Sequence, residues 1–239
     1  MQPTVKIKYP VAFDPGQHIY ADPFDHSKRF TSVTELIKQY SPEISDEEMI
    51  GLYSDPERGV EKLAQMPENS RIAREFGTNI DRAFQDIYNG KEVSEQLFSK
   101  PAYQRTFVET VKQVREDYPV MELQIPLICP ESEIAGTLDM AWQSEGVWQI
   151  GDIKTGQKPS NYSVFGKSML PPFDHLPFNY FTKYRLQLSF YAYLMRVNGN
   201  EVSDQFTIFH FGKSGKLSKV ILWEEPSIYK IIESRKFNL

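Results

Sequence analysis

Cysteine is almost missing from this sequence, since Cys129 is the only one in 239 residues. A single thiol excludes an internal disulfide, a zinc site made of several cysteines and an iron–sulfur cluster held by four. The sequence also lacks an apolar run of about 18 residues, the length that a transmembrane helix needs, and its start lacks the apolar segment of a signal peptide. We therefore expect a soluble cytoplasmic protein, of a bacterium or a phage-infected host cell, with no membrane contact.

An overall positive charge is missing too. The formal net charge of −5 argues against a protein that coats nucleic acid without specificity. One segment departs from this average, because between Ile153 and Leu186 the only acidic residue is Asp174. The basic residues of that segment are Lys154, Lys158, Lys167, Lys183 and Arg185. We predict that this basic strip contacts DNA, and scattered solvated lysines are the alternative.

The order of predicted elements defines the fold class. Helices come first, then three strands, a helix and two strands, which predicts an α/β protein with a mixed central sheet flanked by helices. Residues 1–69 are predicted to be strands and helices that elaborate a core of residues 70–239, in one compact domain overall. The main predicted helices are 55–66, ended by Pro67, then 70–88, 94–117 with an interruption or offset near Pro101, and 180–197.

The segment 136–156 predicts a β-hairpin. Residues 137–142 and 147–153 are two runs of strand-forming residues. A turn-forming Ser144-Glu145-Gly146 separates them. A two-residue turn at Glu145-Gly146 is short enough to fix which residues of the two strands face each other.

That register brings charged residues together. If Ser144 faces Val147, the same register places Asp139 opposite Asp152. Side chains alternate along a strand, so Lys154 lies on the same face as Asp152. Three charges therefore converge on one spot of an otherwise apolar hairpin.

Two ionised carboxylates at short range resist sharing a site unless positive charge lies between them. Mg²⁺ would supply that charge, since it takes oxygen ligands in near-octahedral geometry and keeps several waters. Lys154 could then hold a phosphate or an attacking water. The alternative is a simple ion pair between Lys154 and Asp152 on a solvated face.

Three motifs in this order resemble the PD-(D/E)xK nuclease superfamily, in its RecB-like exonuclease branch. They are Asp139, then Asp152-Ile153-Lys154-Thr155, then Gln187 and Tyr191 on the following helix. The hallmark of the branch is an aspartate, then D-x-K-T, then Q-x-x-x-Y. The segment FTSVTEL also looks like the helix that precedes the core in phage and mitochondrial members. The resemblance covers about residues 74–191.

The resemblance implies a restriction-endonuclease-like core, αβββαβ, with a mainly helical N-terminal elaboration. It also implies that Asp139, Asp152 and the carbonyl of Ile153 ligate Mg²⁺ or Mn²⁺, while Lys154 orients the attacking water and stabilises charge on the scissile phosphate.

Gln187 has a physical argument of its own, because an amide on an apolar buried helix needs polar partners. A site beside Lys154 would provide them. Tyr191, one turn further on, would pack under the same site or contact nucleic acid. Core packing, with water satisfying Gln187, is the alternative for this pair.

Three further residues match the branch more loosely. Glu122 lies on the strand before the hairpin and is a candidate metal ligand. Arg74 is a candidate phosphate contact, and Asp81 stands where the branch usually has a metal-binding histidine. Asp81 borders the apolar stripe of its helix, so it either reaches the hairpin or pairs with Arg74 or Arg82 on the surface.

The long loop after the hairpin carries a group of aromatic residues. They are Tyr162, Phe165, Phe173, Phe178 and Tyr180. Such rings could stack on unpaired bases, as in proteins that bind single strands, or form the small core of the loop itself.

The resemblance as a whole implies a metal-dependent deoxyribonuclease, an exonuclease of DNA recombination, repair or replication. It would act on single-stranded DNA or duplex ends and hydrolyse phosphodiester bonds with a metal-activated water. A structure-selective endonuclease with the same core is one alternative. A non-catalytic nucleic-acid-binding protein that retains the fold is the other.

Overall fold

The structure is a computed structural model that describes residues 4–237 apart from 15, 18, 94–97, 99, 157 and 164. Its strands are β1 (Ala12–Asp14), β2 (Ile19–Ala21), β3 (Arg29–Ser32), β4 (Met121–Cys129), β5 (Ile134–Ser144), β6 (Val147–Thr155), β7 (Val202–Phe211) and β8 (Leu217–Trp223). Its helices are α1 (Val33–Gln39), α2 (Asp46–Ile50), α3 (Pro56–Tyr88), α4 (Pro101–Asp117), α5 (Tyr180–Val197) and α6 (Ile228–Phe237). None of these helices is both long and apolar enough to cross a membrane.

The eight strands form one mixed sheet between two layers of helices. Its order is β1-β2-β3-β5-β6-β7-β8, with β4 paired to β5. β3 is parallel to β5 and β6 is parallel to β7, whereas the other pairs are antiparallel. Helices α1, α5 and α6 cover one face, and α3 and α4 cover the other. The predicted α/β class with a mixed, helix-flanked sheet is confirmed.

Helix α5 has the bounds that its sequence predicts. Its N-cap is Asn179, whose side chain accepts a hydrogen bond from the amide of Thr182 at 2.8 Å. Most of its side chains are buried, and the helix packs under the central strands. Its polar residue Gln187 is therefore held close to the sheet.

Helix α3 corrects the predicted elements, because it continues through Pro67 for 33 residues. A proline removes one backbone hydrogen bond and usually ends a helix. Here the residues around it are helix formers on an exposed surface, and Arg71 pairs with Glu68 and Glu75 at 2.8 and 3.0 Å. The predicted break between residues 66 and 70 was wrong, and the predicted division at residue 69 falls inside α3.

Helix α4 begins at Pro101, where the sequence predicts an interruption or offset. A proline fits the first turn because its missing N–H would have no helical partner. Phe98 and Lys100 lie before the helix, and residues 94–97, where the predicted helix begins, lie outside the described residues. The C-terminal end agrees with the predicted Asp117.

Candidate active site

A notch in the central sheet forms the candidate site. β4 pairs with one edge of β5 from Ile134 to Trp142. On the other edge, β3 pairs with Ile134 and Ala135, and β6 pairs with β5 from Met140 onward. Residues 136–139 lie between these two partners, so β3 and β6 diverge there. The notch opens into a cavity of about 200 Å³ lined by Asp81, Gln124, Asp139, Asp152, Lys154, Gln187 and Tyr191, among others.

The hairpin has the register that the sequence predicts. Ser144 pairs with Val147 and Met140 with Gly151, so the next pair in this register is Asp139 and Asp152. Glu145 and Gly146 make the turn with φ of 53° and 85°, as a tight hairpin turn requires. The predicted register was correct.

Asp139 and Asp152 lie together at the mouth of the notch. Asp139 Oδ2 accepts a hydrogen bond from the amide of Ile153 at 3.1 Å. Asp152 is 1% exposed and forms an ion pair with the ammonium group of Lys154. Ile153 points its side chain into the core on the α3–α4 face of the sheet. The alternation that places Asp152 and Lys154 on one face is therefore observed.

Asp139, Asp152 and Lys154 lie close enough for their charges to influence the pKa values of Asp152 and Lys154. Burial raises the pKa of Asp152 well above its usual range, Lys154 opposes that shift, and the nearby Asp139 adds to it. Burial alone would lower the pKa of Lys154, but attraction to Asp152 and Asp139 outweighs burial and raises it. The ammonium group therefore stays charged and supplies the positive charge that the two carboxylates need.

Asp81 reaches the same cavity from α3. Its Oδ2 accepts hydrogen bonds from Gln85 at 3.1 Å and from Gln124 at 3.3 Å. Its Oδ1 is buried without a hydrogen-bond partner among the described residues. Burial, and then repulsion from Asp139, raises the pKa of Asp81 to about 7. Asp81 therefore lies in the cavity and not on the surface beside Arg74 or Arg82.

Gln124 takes the place in the cavity that the sequence suggested for Glu122. Its Nε2 lies 3.3 Å from Asp81 Oδ2 and 3.5 Å from Asp139 Oδ1, so one amide joins the two carboxylates. The β4–β5 register that pairs Cys129 with Ile134 places Gln124 opposite Asp139. The tight connection between those two residues was the signal that sequence reasoning missed.

Glu122 itself lies outside this cluster. Its Oε1 accepts a hydrogen bond from the amide of Val5 at 2.6 Å, and it faces Ala141 across the ladder. It fastens the N-terminal segment to β4. The structure therefore corrects the prediction that Glu122 is near the metal ligands.

Gln187 and Tyr191 contact each other beside the notch. Gln187 Nε2 lies 3.5 Å from Tyr191 Oη, and burial raises the pKa of Tyr191 well above its usual range. Gly136 lets Tyr191 approach β5, because a Cβ added there would lie 2.5 Å from Tyr191 Cε1. Sequence reasoning did not single out Gly136, although it opens the segment that carries Asp139.

Besides Lys154, which pairs with Asp152, two residues of the basic strip have acidic partners in the fold. Lys167 contacts Glu48 at 2.7 Å and the carbonyl of Glu43 at 2.8 Å. Arg185 pairs with the buried Glu225 at 3.0 Å and donates to the carbonyl of Trp223. Both positive charges are neutralised within the protein, which counts against their predicted contact with DNA.

Three other basic residues are more accessible. Lys158 is exposed, and Lys183 is half-buried against Phe178. Arg74 is exposed on α3, two turns before Asp81, and donates to the carbonyl of Ser70 at 3.3 Å. These three cations remain candidates for contact with phosphate.

The fold and site define a mixed α/β protein with a carboxylate-lined notch, in agreement with the predicted restriction-endonuclease-like core. No protein-family model matches the chain, and no curated protein matches it in sequence. Among solved structures it is similar to SSO0001, with 12% identity and a TM-score of 0.30 over 57% of this chain and 66% of that chain. It is also similar to a phage-related exonuclease from Haemophilus somnus 129PT, with 13% identity and a TM-score of 0.31 over 66% of this chain and 77% of that chain.

Proposed function

We propose that this protein is a metal-dependent DNA nuclease that hydrolyses phosphodiester bonds from DNA ends. The observation that carries the proposal is the pair of carboxylates, Asp139 and Asp152, held at an open notch with Lys154 beside them. Lys154 offsets only one of the two carboxylate charges when both are ionised, so the pair keeps a net negative charge at the notch. Its geometry suits a site that attracts positive charge.

The donor atoms fit a hard divalent cation. Asp139, Asp152 and Asp81 offer oxygen ligands only, the set that suits Mg²⁺ and Mn²⁺. Asp81 adds a buried oxygen that has no hydrogen-bond partner among the described residues. Within the same residues, however, no three acidic, histidine or cysteine side chains already surround a common point where a metal ion could bind. We propose Asp139 and Asp152 as the main ligands, and Asp81 as a third carboxylate that lines the same cavity.

A bound divalent cation would supply positive charge to the scissile phosphate and lower the pKa of a water molecule. The protein's own groups would do the rest. Lys154, which stays charged, would hold a phosphate oxygen and stabilise the charge that develops on it. Gln187 would orient the same phosphate group by hydrogen bonding. Tyr191 would hold the Gln187 side chain in place through the contact between its hydroxyl and Gln187 Nε2. The water would give up a proton to solvent and its oxygen would bond to phosphorus as the bond to the sugar oxygen breaks, and the leaving oxygen would take up a proton from solvent.

A direct assay tests the nuclease and its mode together. End-labelled linear single-stranded DNA and a closed circle of the same sequence are incubated with Mg²⁺, Mn²⁺ or EDTA. We expect the linear DNA to be shortened from an end in Mg²⁺ or Mn²⁺, the circle to stay intact, and EDTA to stop all cleavage. Cleavage of the circle would identify an endonuclease. Intact DNA of both kinds in both metals would contradict nuclease activity.

A further inference from the structure

A second cavity, of about 300 Å³, lies at the N-terminal end of α5. We call it the aromatic pocket, and its main lining residues are Tyr162, Phe165, Phe178, Tyr180, Lys158 and Lys183. Tyr162 is 74% exposed and Tyr180 is 70% exposed, although large rings are usually buried more fully than this. Two lysines beside accessible rings make a surface that suits an anionic, aromatic ligand.

A chain of ring and ammonium contacts connects the aromatic pocket to the carboxylates. The ammonium of Lys154 lies 5.0 Å from the centroid of the Tyr184 ring. Tyr184 in turn stacks on Tyr180, with centroids 6.1 Å apart and planes 28° from parallel. Lys183 lies 4.4 Å from the centroid of Phe178, within range of a cation–π interaction. The contacts thus run without a gap from Lys154 to the rim of the aromatic pocket.

An open trench follows the same path. It lies between α1 and α5 and has a volume of about 630 Å³. Its lining includes Tyr180, Lys183, Tyr184 and Gln187 on α5 and Thr34, Glu35 and Lys38 on α1. Tyr180 and Gln187 are seven residues apart, so the trench covers two helical turns, or about 10 Å. Gln187 also lines the notch and Tyr180 also lines the aromatic pocket. The trench therefore shares lining residues with the notch at one end and with the aromatic pocket at the other.

The chemistry of the aromatic pocket points to an unpaired base. Aromatic rings stack on any base, because every base has a π face, while lysines pair with the phosphates beside it. Asn179 adds a hydrogen-bond donor, since its Nδ2 is buried without an acceptor among the described residues while its Oδ1 caps α5. A base in a duplex is stacked and paired, so it cannot offer its face and its edge to these groups.

We propose that the aromatic pocket binds an unpaired base of single-stranded DNA whose backbone runs along the trench to the carboxylates. This inference deepens the proposed nuclease function by naming its substrate class, but binding of the base does not require cleavage. Tyr162 and Tyr180 would provide the stacking surface. The exposed Lys158 and the half-buried Lys183 would neutralise the phosphates on either side.

Binding is measured in EDTA, where no metal-dependent cleavage occurs, with a fluorescein-labelled oligothymidylate. We expect Tyr162→Leu and Tyr180→Leu each to weaken binding by about tenfold, because one stacked base is lost. The matched control is Trp223→Leu, which removes a ring that is 54% exposed on β8, outside the trench and the aromatic pocket. Tyr180→Phe keeps the ring and should bind like the native protein.

Oligomers with one abasic position then test for the base itself. For the native protein, an abasic site at one or two of the tested positions should weaken binding by about tenfold. The Tyr180→Leu variant should bind those oligomers and the intact oligomer with equal affinity. Equal affinity for a duplex, insensitivity to every abasic position, or no measurable binding of the oligomer would each overturn the proposal. If the base is recognised but the native protein never cleaves DNA, the nuclease function fails while the aromatic pocket remains assigned. If the native protein cleaves DNA but does not recognise the base, the nuclease function stands and the proposal for the aromatic pocket fails.

Discussion

The two walls of the notch hold their carboxylates in different ways. On the hairpin wall, which consists of β5 and β6, Asp139 and Asp152 are fixed by the antiparallel ladder and by Lys154. On the helix wall, which is the C-terminal half of α3, Asp81 depends on two amides, Gln85 and Gln124. The hairpin wall is set by local pairing within about twenty residues. The helix wall is set by how a separate helix packs against the sheet.

This difference bears on the electrostatics of the site. The hairpin wall carries its own cation, since Lys154 contacts Asp152 directly. The helix wall carries an acid whose partners are neutral amides, and the pKa of Asp81 is raised to about 7 as a result of burial and of repulsion from Asp139. The hairpin wall therefore contains both acidic and basic groups, whereas the helix wall contributes only the acidic Asp81, which repels Asp139 from the other side of the notch. Substitutions on the two walls should differ accordingly.

The largest expected effect is on the hairpin wall. Asp152→Asn should reduce Mg²⁺-dependent cleavage by about 10³-fold, because it removes a ligand from the proposed metal site. It should not lower the melting temperature of the metal-free protein, and is expected to raise it, since the buried ionised form of Asp152 is disfavoured. Lys154→Ala should reduce cleavage to a similar extent but lower the melting temperature, because it leaves the buried Asp152 without its cation.

Gel assays and thermal melts in EDTA measure the two effects. The control is Asp204→Asn, an exposed aspartate on β7 that should change neither quantity. Cleavage by Asp152→Asn within a few-fold of the native rate would remove the hairpin wall from the catalytic site.

A smaller effect is expected on the helix wall. Asp81→Ala should lower cleavage by about 10²-fold and weaken Mn²⁺ binding, because it removes the third oxygen donor. Asp81→His should restore activity preferentially with Mn²⁺, since imidazole suits transition metals better than Mg²⁺. Calorimetry of Mn²⁺ binding and the gel assay measure these outcomes.

Asp86→Ala is the matched control for Asp81. It lies five residues further along α3 and pairs with Lys91 at 3.3 Å near the surface, so it should leave both quantities unchanged. Unchanged Mn²⁺ affinity together with normal cleavage in Asp81→Ala would leave Asp139 and Asp152 as the whole carboxylate set.

The contrast between the walls also explains what the sequence could predict. The register of the hairpin follows from the Glu145-Gly146 turn and from period-two alternation, so the pairing of Asp139 with Asp152 was predictable from a short segment. Whether Asp81 reaches that pair depends on the packing of Ile80 and Phe84 against the sheet, which no local pattern encodes. Glu122 was misplaced for a related reason, because the connection between Cys129 and Ile134 sets the register of β4 on β5, and the composition of β4 alone does not reveal it.

The prediction that the whole basic strip contacts DNA is weakened by ion pairs between residues far apart in sequence. Lys167 is bound by Glu48, which is 119 residues earlier, and Arg185 by Glu225, which is 40 residues later. A count of charges along one segment cannot reveal partners so distant in sequence. In the same way, helix propensity around Pro67 outweighed a local rule about proline, and α3 became continuous.

A third prediction compares Gln124 with Glu122, two residues apart on β4. It tests the amide of Gln124, which contacts a carboxylate on each wall of the notch. Gln124→Ala should lower cleavage by about tenfold, because the amide that joins Asp81 to Asp139 is lost and the two carboxylates repel each other without it. Glu122→Gln, two residues away, should leave cleavage unchanged, since its contact is with the amide of Val5. Rates at saturating Mg²⁺ measure both. A larger loss in Glu122→Gln than in Gln124→Ala would reverse the assignment of these two residues.

The smallest expected effects compare how tightly each wall is packed. A Cβ at Gly136 would lie 2.5 Å from the Tyr191 ring, whereas a Cβ at Gly77 on α3 would lie 3.8 Å from its nearest neighbour, Thr155 Oγ1. Gly136→Ala should therefore cost about 1–3 kcal/mol through overpacking, which lowers the melting temperature by several degrees. Gly77→Ala should raise the free energy of unfolding by about 1 kcal/mol, because alanine is the better helix former and a Cβ has room there. Calorimetric melts of both variants in EDTA measure the difference. Equal melting temperatures would mean that α5 does not press on the hairpin wall, and that Tyr191 is free to move away from β5.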